Sequence, residues 1–169
     1  MKKQKQKKTK LRYSLIDEML ASPTNPLPAS HKTHQLTRMY SGLHNLETAS
    51  EPTSDDWMVC ADAVNLMETL VDDMQICEDA SGLLKDAVNS LALAGKRNKQ
   101  GFPIRLDGAG IQAVRAVLSD YASLIDILPE RTMIRCHRLT EMKLQNILNK
   151  KPRKDDVIIS RLKLKEVPC

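Results

Sequence analysis

Aromatic side chains are almost missing from this sequence: one Trp, one Phe and three Tyr make up 3% of the chain. Single-strand nucleic-acid modules depend on aromatic platforms that stack bases, so that class is disfavoured. Glycine is scarce too, at six residues, which leaves long stretches free to be helical. The four cysteines, Cys60, Cys77, Cys136 and Cys169, form no CxxC and no regular framework. A disulfide scaffold is therefore not expected, and the thiols read as free in a reducing cytoplasm. No apolar run is long enough to span a bilayer. Nor does an apolar stretch follow the basic N-terminus as in a secretory signal, because Arg12, Ser14, Asp17 and Glu18 interrupt residues 11–20. Walker A, dinucleotide and nucleophile-elbow patterns are missing as well. These absences point to a cytoplasmic, non-enzymatic protein without membrane span or cofactor.

What is present suits one globular domain with a single core: 169 residues, 41% hydrophobic and 28% charged. With so few aromatics the core falls to Leu, Ile, Val, Met and Ala, as in helical bundles. The formal net charge of +5 permits an anionic partner without requiring one. Its distribution is uneven. Lys2, Lys3, Lys5, Lys7, Lys8, Lys10 and Arg12 crowd the start, residues 51–94 are acidic, and the last third is basic again. The expected division is a disordered basic tail over 1–10, a helical domain over 11–149 and a basic extension over 150–169.

Periodicity supplies the helices. Leu11, Leu15, Met19 and Leu20 fall on one side of a short helix that ends at Ser22-Pro-Thr-Asn-Pro-Leu-Pro28, where three prolines favour an extended connector. A second helix starts near Ser30 or Thr33 and carries Leu36, Met39, Tyr40, Leu43 and Leu46. Thr53 and Asp56 stand in a capping-box relation before a third, with Trp57, Cys60, Ala61, Val64, Met67, Val71 and Met74 on one face. Asp62, Asn65, Glu68, Asp72 and Asp73 occupy its solvated acidic face. A fourth helix is expected over about 81–94 with Gly95 as its stop, followed by a basic loop to Gly101 and a short strand over 102–106. Asp107 caps a fifth, with Ile111, Val114, Val117, Leu118, Tyr121, Leu124, Ile125 and Leu128 at helical spacing. Pro129 suits the first turn of a sixth, reaching about Asn149. Beyond it, Ile158, Ser160, Leu162 and Leu164 alternate with Ile159, Arg161, Lys163 and Lys165, which suits an edge strand. The fold class is thus all-α or nearly so: a single bundle of five or six helices with a minor C-terminal β element.

Three constellations bear on function. Arg131, Arg135 and Arg138, at i, i+4 and i+7, project from one stripe of the sixth helix, and Lys150, Lys151, Arg153 and Lys154 extend that charge. Such a row can lie along a phosphate backbone; a solvated helix face, or one docked on the protein's own acidic helix, explains it about as well. No helix-turn-helix spacing accompanies it. His31, His34 and His44 lack the convergent partners of a metal site, so surface or cap roles are expected. Cys136 and His137, adjacent on a helix, point in different directions and make no thiol–imidazole pair. The carboxylates at 62, 68, 72 and 73 look like any polar helix face, and Gly108-Ala-Gly110 is too short to cradle a phosphate.

Two blocks carry a resemblance. One runs from Leu15-Ile-Asp-Glu-Met-Leu-Ala-Ser-Pro-Thr through His34-Gln-Leu-Thr-Arg-Met-Tyr to Asp55-Asp-Trp57 and Asn65-Leu-Met-Glu68. The other runs from Ile104-Arg-Leu-Asp-Gly-Ala-Gly-Ile111 through Ala113-Val-Arg-Ala-Val117 to Cys136-His-Arg-Leu-Thr-Glu141. Together they resemble small uncharacterised proteobacterial proteins associated with chromosomes, plasmids and integrated elements, some labelled as Fis-type regulators. The resemblance spans about residues 11–149 and implies no catalytic or binding residue. The leading expectation is an accessory or regulatory protein that contacts double-stranded DNA through the arginine row and the basic ends. The competing one is a protein–protein module or homo-oligomer that uses the acidic helix at 53–74.

Overall fold

The computed structural model describes residues 11–149. It consists of α1 (Leu15–Leu20), α2 (Ala29–Thr48), α3 (Ser54–Glu68), a π-helical turn (Thr69–Asp73), α4 (Leu84–Lys99), α5 (Gly108–Ile127) and α6 (Glu130–Asn149). No strand occurs among the described residues, so the all-α expectation holds there. An isolated β-bridge joins Pro26 and Pro129. The alternating segment at 158–165 lies outside the described residues, as do both basic ends.

Helix α3 is the centre of the bundle, touching α2, α4, α5 and α6. It begins where the sequence places it: Thr53 Oγ accepts from Asp56 N, and Asp56 returns the bond to Thr53 N at 2.9 Å. Trp57, Cys60, Ala61, Val64 and Met67 are buried as their spacing predicts, and the Trp57 indole donates to the Leu91 carbonyl at 3.0 Å. Asn65, assigned above to the acidic face, is buried as well. The reason is packing from several sides: across 60–67 only Asp62 keeps partial exposure. The helix continues into the π-helical turn, where buried Thr69 bonds the Thr140 hydroxyl of α6 at 2.6 Å.

Two expectations fail between α4 and α5. Gly95 does not stop α4; it is buried within the helix, which runs on to Lys99. The stop comes at Gly101, whose φ of +88° suits a residue without Cβ. Its N–H bonds the Asn98 carbonyl and Phe102 N–H bonds that of Arg97, the two bonds of a Schellman motif. Lys96, Arg97 and Lys99 therefore sit in a last helical turn, where the helix dipole favours cations. The segment after it is not a strand, because Ile104 and Leu106 bury their side chains without pairing their backbone to another strand. Asp107 caps α5 as expected, accepting from Gly110 N at 2.7 Å.

The proline connector has a job that its composition did not reveal. Asn25 and Ser22 offer their carbonyls to Glu130 N and Arg131 N at 2.8 and 3.0 Å. The Glu130 carboxylate in turn accepts from Ser22 N at 3.0 Å. These bonds satisfy first-turn donors of α6 that have no intrahelical partner.

Candidate interaction surface

Helix α1 packs along α6 and runs antiparallel to it. Glu18 pairs with Arg138, both side chains being about 15% exposed. Arg131 donates from Nε to the Ala21 carbonyl at 3.2 Å and from Nη2 to the Met19 carbonyl at 3.2 Å. Arg12 N–H bonds Glu141 Oε2 at 2.7 Å, and the Tyr13 ring leans on His137 with centroids 5.5 Å apart. A capping box of Ser14 and Asp17 opens the helix. Polar contacts thus pin six residues of helix that would be too short to persist alone.

The apolar side of that helix faces away from the core. Leu15, Ile16, Met19 and Leu20 are 56%, 66%, 68% and 82% exposed, and no residue of α1 is buried. Of the predicted stripe, Leu11 precedes the helix, while Leu15, Met19 and Leu20 lie on its outward side.

The arginine row is divided by this arrangement. Arg131 and Arg138 bind α1, and buried Arg138 Nε has no acceptor. Arg135 alone of the three is exposed without a partner among the described residues. Lys150, Lys151, Arg153 and Lys154 lie outside the described residues. Residues 11–149 carry 13 Lys and Arg against 18 Asp and Glu, a net charge of −5, so the body offers no general attraction to a phosphate backbone.

The acidic helix is divided in the same way. Lys143 of α6 reaches Glu68 at 3.3 Å and Asp73 at 3.1 Å. Burial alone would pull the Lys143 pKa down, but these carboxylates outweigh it and hold it above its ordinary value. Asp56 is occupied by Thr53 and by Asn45 at 2.8 Å. The exposed carboxylates lie at its two ends, Asp55 at one and Asp72 and Asp73 at the other, rather than along a continuous face.

His31, His34 and His44 are exposed along α2, with His44 Nε2 3.5 Å from Thr48 Oγ. Among the described residues no group of three or more His, Cys, Asp or Glu could hold a metal ion. Cys136 and His137 diverge as expected: Cys136 Sγ points to the Leu66 carbonyl at 3.4 Å, whereas His137 meets Tyr13. Burial pushes the Cys60 and Cys136 thiols up to about 12, which keeps them protonated and poor nucleophiles. A shallow pocket of about 190 Å³ lies between Ser90, Leu93, Arg97 and Asp107. Its two charged groups are already used, Arg97 on the Arg105 carbonyl and Asp107 on α5. No described helix is long and apolar enough to cross a membrane.

In comparisons with known proteins, no family model, no curated protein and no solved structure matches the chain.

The α1 surface was missed because a sequence pattern carries no direction. One signal was available. A helix bounded by Ser14 and the proline run has little more than a turn and a half, yet carries apolar residues at 15, 16, 19 and 20. That is more than one narrow stripe can bury.

Proposed function

We propose that this is a non-enzymatic protein–protein interaction module that self-associates through α1. The observation that carries the reading is the outward apolar face of Leu15, Ile16, Met19 and Leu20 on a helix held in place by polar contacts. A contiguous apolar patch fixed at the surface marks an interaction site more often than scattered exposed residues do. The charges of α1 favour a second copy as the partner. Glu18 is neutralised by Arg138 and Asp17 is tied to Ser14, so two such faces meet without stranding a carboxylate between them.

Sedimentation velocity of the full chain over about 1–200 µM tests this, a range suited to a small interface. A concentration-dependent shift toward dimer, removed by Leu15→Ser with Met19→Ser while the far-UV spectrum is kept, is the expected result. A monomer at every concentration sinks the self-association reading.

A further inference from the structure

Away from α1, one stretch of the body reverses its charge. Residues 87–107 hold four cations, Lys96, Arg97, Lys99 and Arg105, against one carboxylate, Asp107, whereas the remainder of 11–149 nets −8. The fold gathers these cations around the end of α4, and all four are exposed. Phe102 N–H bonds the Arg97 carbonyl, and the Arg97 guanidinium reaches the Arg105 carbonyl at 2.6 Å. Arg105 in turn donates to the Ala49 carbonyl at 3.4 Å and to that of Ser50. These bonds go to neutral carbonyls, so they fix the guanidinium groups and leave their charge in place. Two apolar side chains stand beside them, Leu93 at 58% and Phe102 at 59% exposure. Leu93, one turn before Arg97 on α4, lines the pocket of about 190 Å³ together with Ser90, Arg97 and Asp107. That volume falls short of the roughly 300 Å³ at which small-molecule sites begin, and suits a single side chain.

We propose that this patch binds an acidic peptide segment of a partner protein, one apolar side chain of the segment entering the pocket and its carboxylates meeting the surrounding cations. An apolar centre within a charged rim is the usual anatomy of a protein contact. The four cations outweigh the roughly half negative charge of the α4 terminus. Asp107 is already engaged on α5, where it accepts from Gly110 N, and the Ser90 hydroxyl adds a polar group to the pocket wall. Duplex DNA is the poorer fit. It carries about one charge per 1.7 Å of axis, so a length crossing the protein would overlie the acidic remainder as well as the patch. A short peptide meets the patch alone. A bilayer surface cannot enter a pocket, least of all one with a carboxylate in its wall. The chain's own residues 1–10 and 150–169 are each net positive and do not complement the patch. It shares no residue with α1, so it is a second contact, independent of self-association.

The test is a titration of the isotope-labelled full chain, read by amide chemical shifts, with a peptide of about ten residues in which Asp and Glu flank a central Leu-Leu pair. The expected result at about 50 mM salt is a set of shift changes centred on residues 90–107, saturating with a Kd on the order of 100 µM. Replacing the two peptide leucines by serine should weaken binding at least about tenfold, and L93S in the protein about threefold. K96E with K99E should weaken it at least about fivefold, and added salt should act in the same direction. All three positions are exposed, and the amide spectrum of each variant checks its fold. No shift change at about 2 mM peptide overturns the proposal. So do changes centred on α1 instead. Equal binding of the serine peptide overturns it as well, since that is charge attraction without the pocket. If a duplex of about 20 base pairs moves the same amides and the peptide does not, the patch belongs to nucleic acid. The same result with vesicles of phosphatidylserine and phosphatidylcholine assigns it to a membrane. Sedimentation reads the α1 face separately, so failure of one reading leaves the other standing.

Discussion

Helices α1 and α3 are both opened by a capping box, Ser14 with Asp17 and Thr53 with Asp56, yet α3 buries eight of its residues and α1 buries none. The cap supplies the same local bonds in each case and sets where the helix starts. What differs is what the apolar residues meet. Those of α3 close a core with four other helices, whereas those of α1 are turned outward by the pull of Arg131 and Arg138 on its other side. The comparison separates two uses of an apolar stripe, one for stability and one for contact.

The largest difference should come from matched leucine truncations. Leu66→Ala in α3, where Leu66 is 4% exposed, is expected to cost about 2–5 kcal/mol in urea unfolding. Leu20→Ala in α1, at 82% exposure, should move global stability by no more than about 0.5 kcal/mol and weaken self-association instead. Equal losses of stability would show that α1 belongs to the cooperative core.

Gly42→Ala breaks the α2–α3 crossing next. A Cβ there would lie 2.3 Å from Val59 Cγ2 and 2.8 Å from the Asp56 carbonyl oxygen. The valine methyl can rotate away, but the backbone oxygen at the start of α3 cannot, so the helices must part. A loss of about 1–3 kcal/mol is expected by thermal or urea unfolding. No such crossing supports α1.

Most of the core was legible because it depends on regular spacing. The buried positions of α3 and α5, and the caps at Thr53 and Asp107, follow from residue types at fixed offsets. What escaped the sequence depends on where one element meets another. Gly95 looks like a stop until its burial inside α4 is known, and Arg131 and Arg138 look like a free cationic row until α1 is laid across them. Asn65 reads as a solvated polar residue until packing closes over it. The candidate surface was the least legible feature, because α1 shows the same stripe whether it faces core or solvent.

The two caps provide a finer test. Thr53→Ala should lower global stability by about 1 kcal/mol, because α3 cannot unravel without opening the core. Ser14→Ala removes the corresponding bond from α1, and its effect should be confined to faster hydrogen exchange of amides in that helix. Slower association measured by sedimentation would accompany it if α1 must be helical to dock. A fall in the global midpoint equal to that of Thr53→Ala would contradict the division between the helices.

The smallest expected effect is a pH dependence at the α3 cap. Burial raises the Asp56 pKa, but hydrogen bonds from the Thr53 side chain, from Asn45 and from the Thr53 backbone outweigh it and hold the carboxyl below its ordinary 3.8. For a carboxyl depressed in the folded state, the stabilisation is fully present above the unfolded value and is lost as pH falls through the folded one. The cap therefore weakens as the solution is taken below about pH 4, and the loss registers in global unfolding because α3 lies in the core. Asp56→Asn retains an oxygen that can accept from Thr53 N but takes no part in this titration. Its urea midpoint should accordingly fall less steeply than that of the unsubstituted protein between about pH 4 and pH 2. Parallel curves for the two proteins would mean that the Asp56 carboxylate is not linked to folding, and that the α3 cap holds through Thr53 alone.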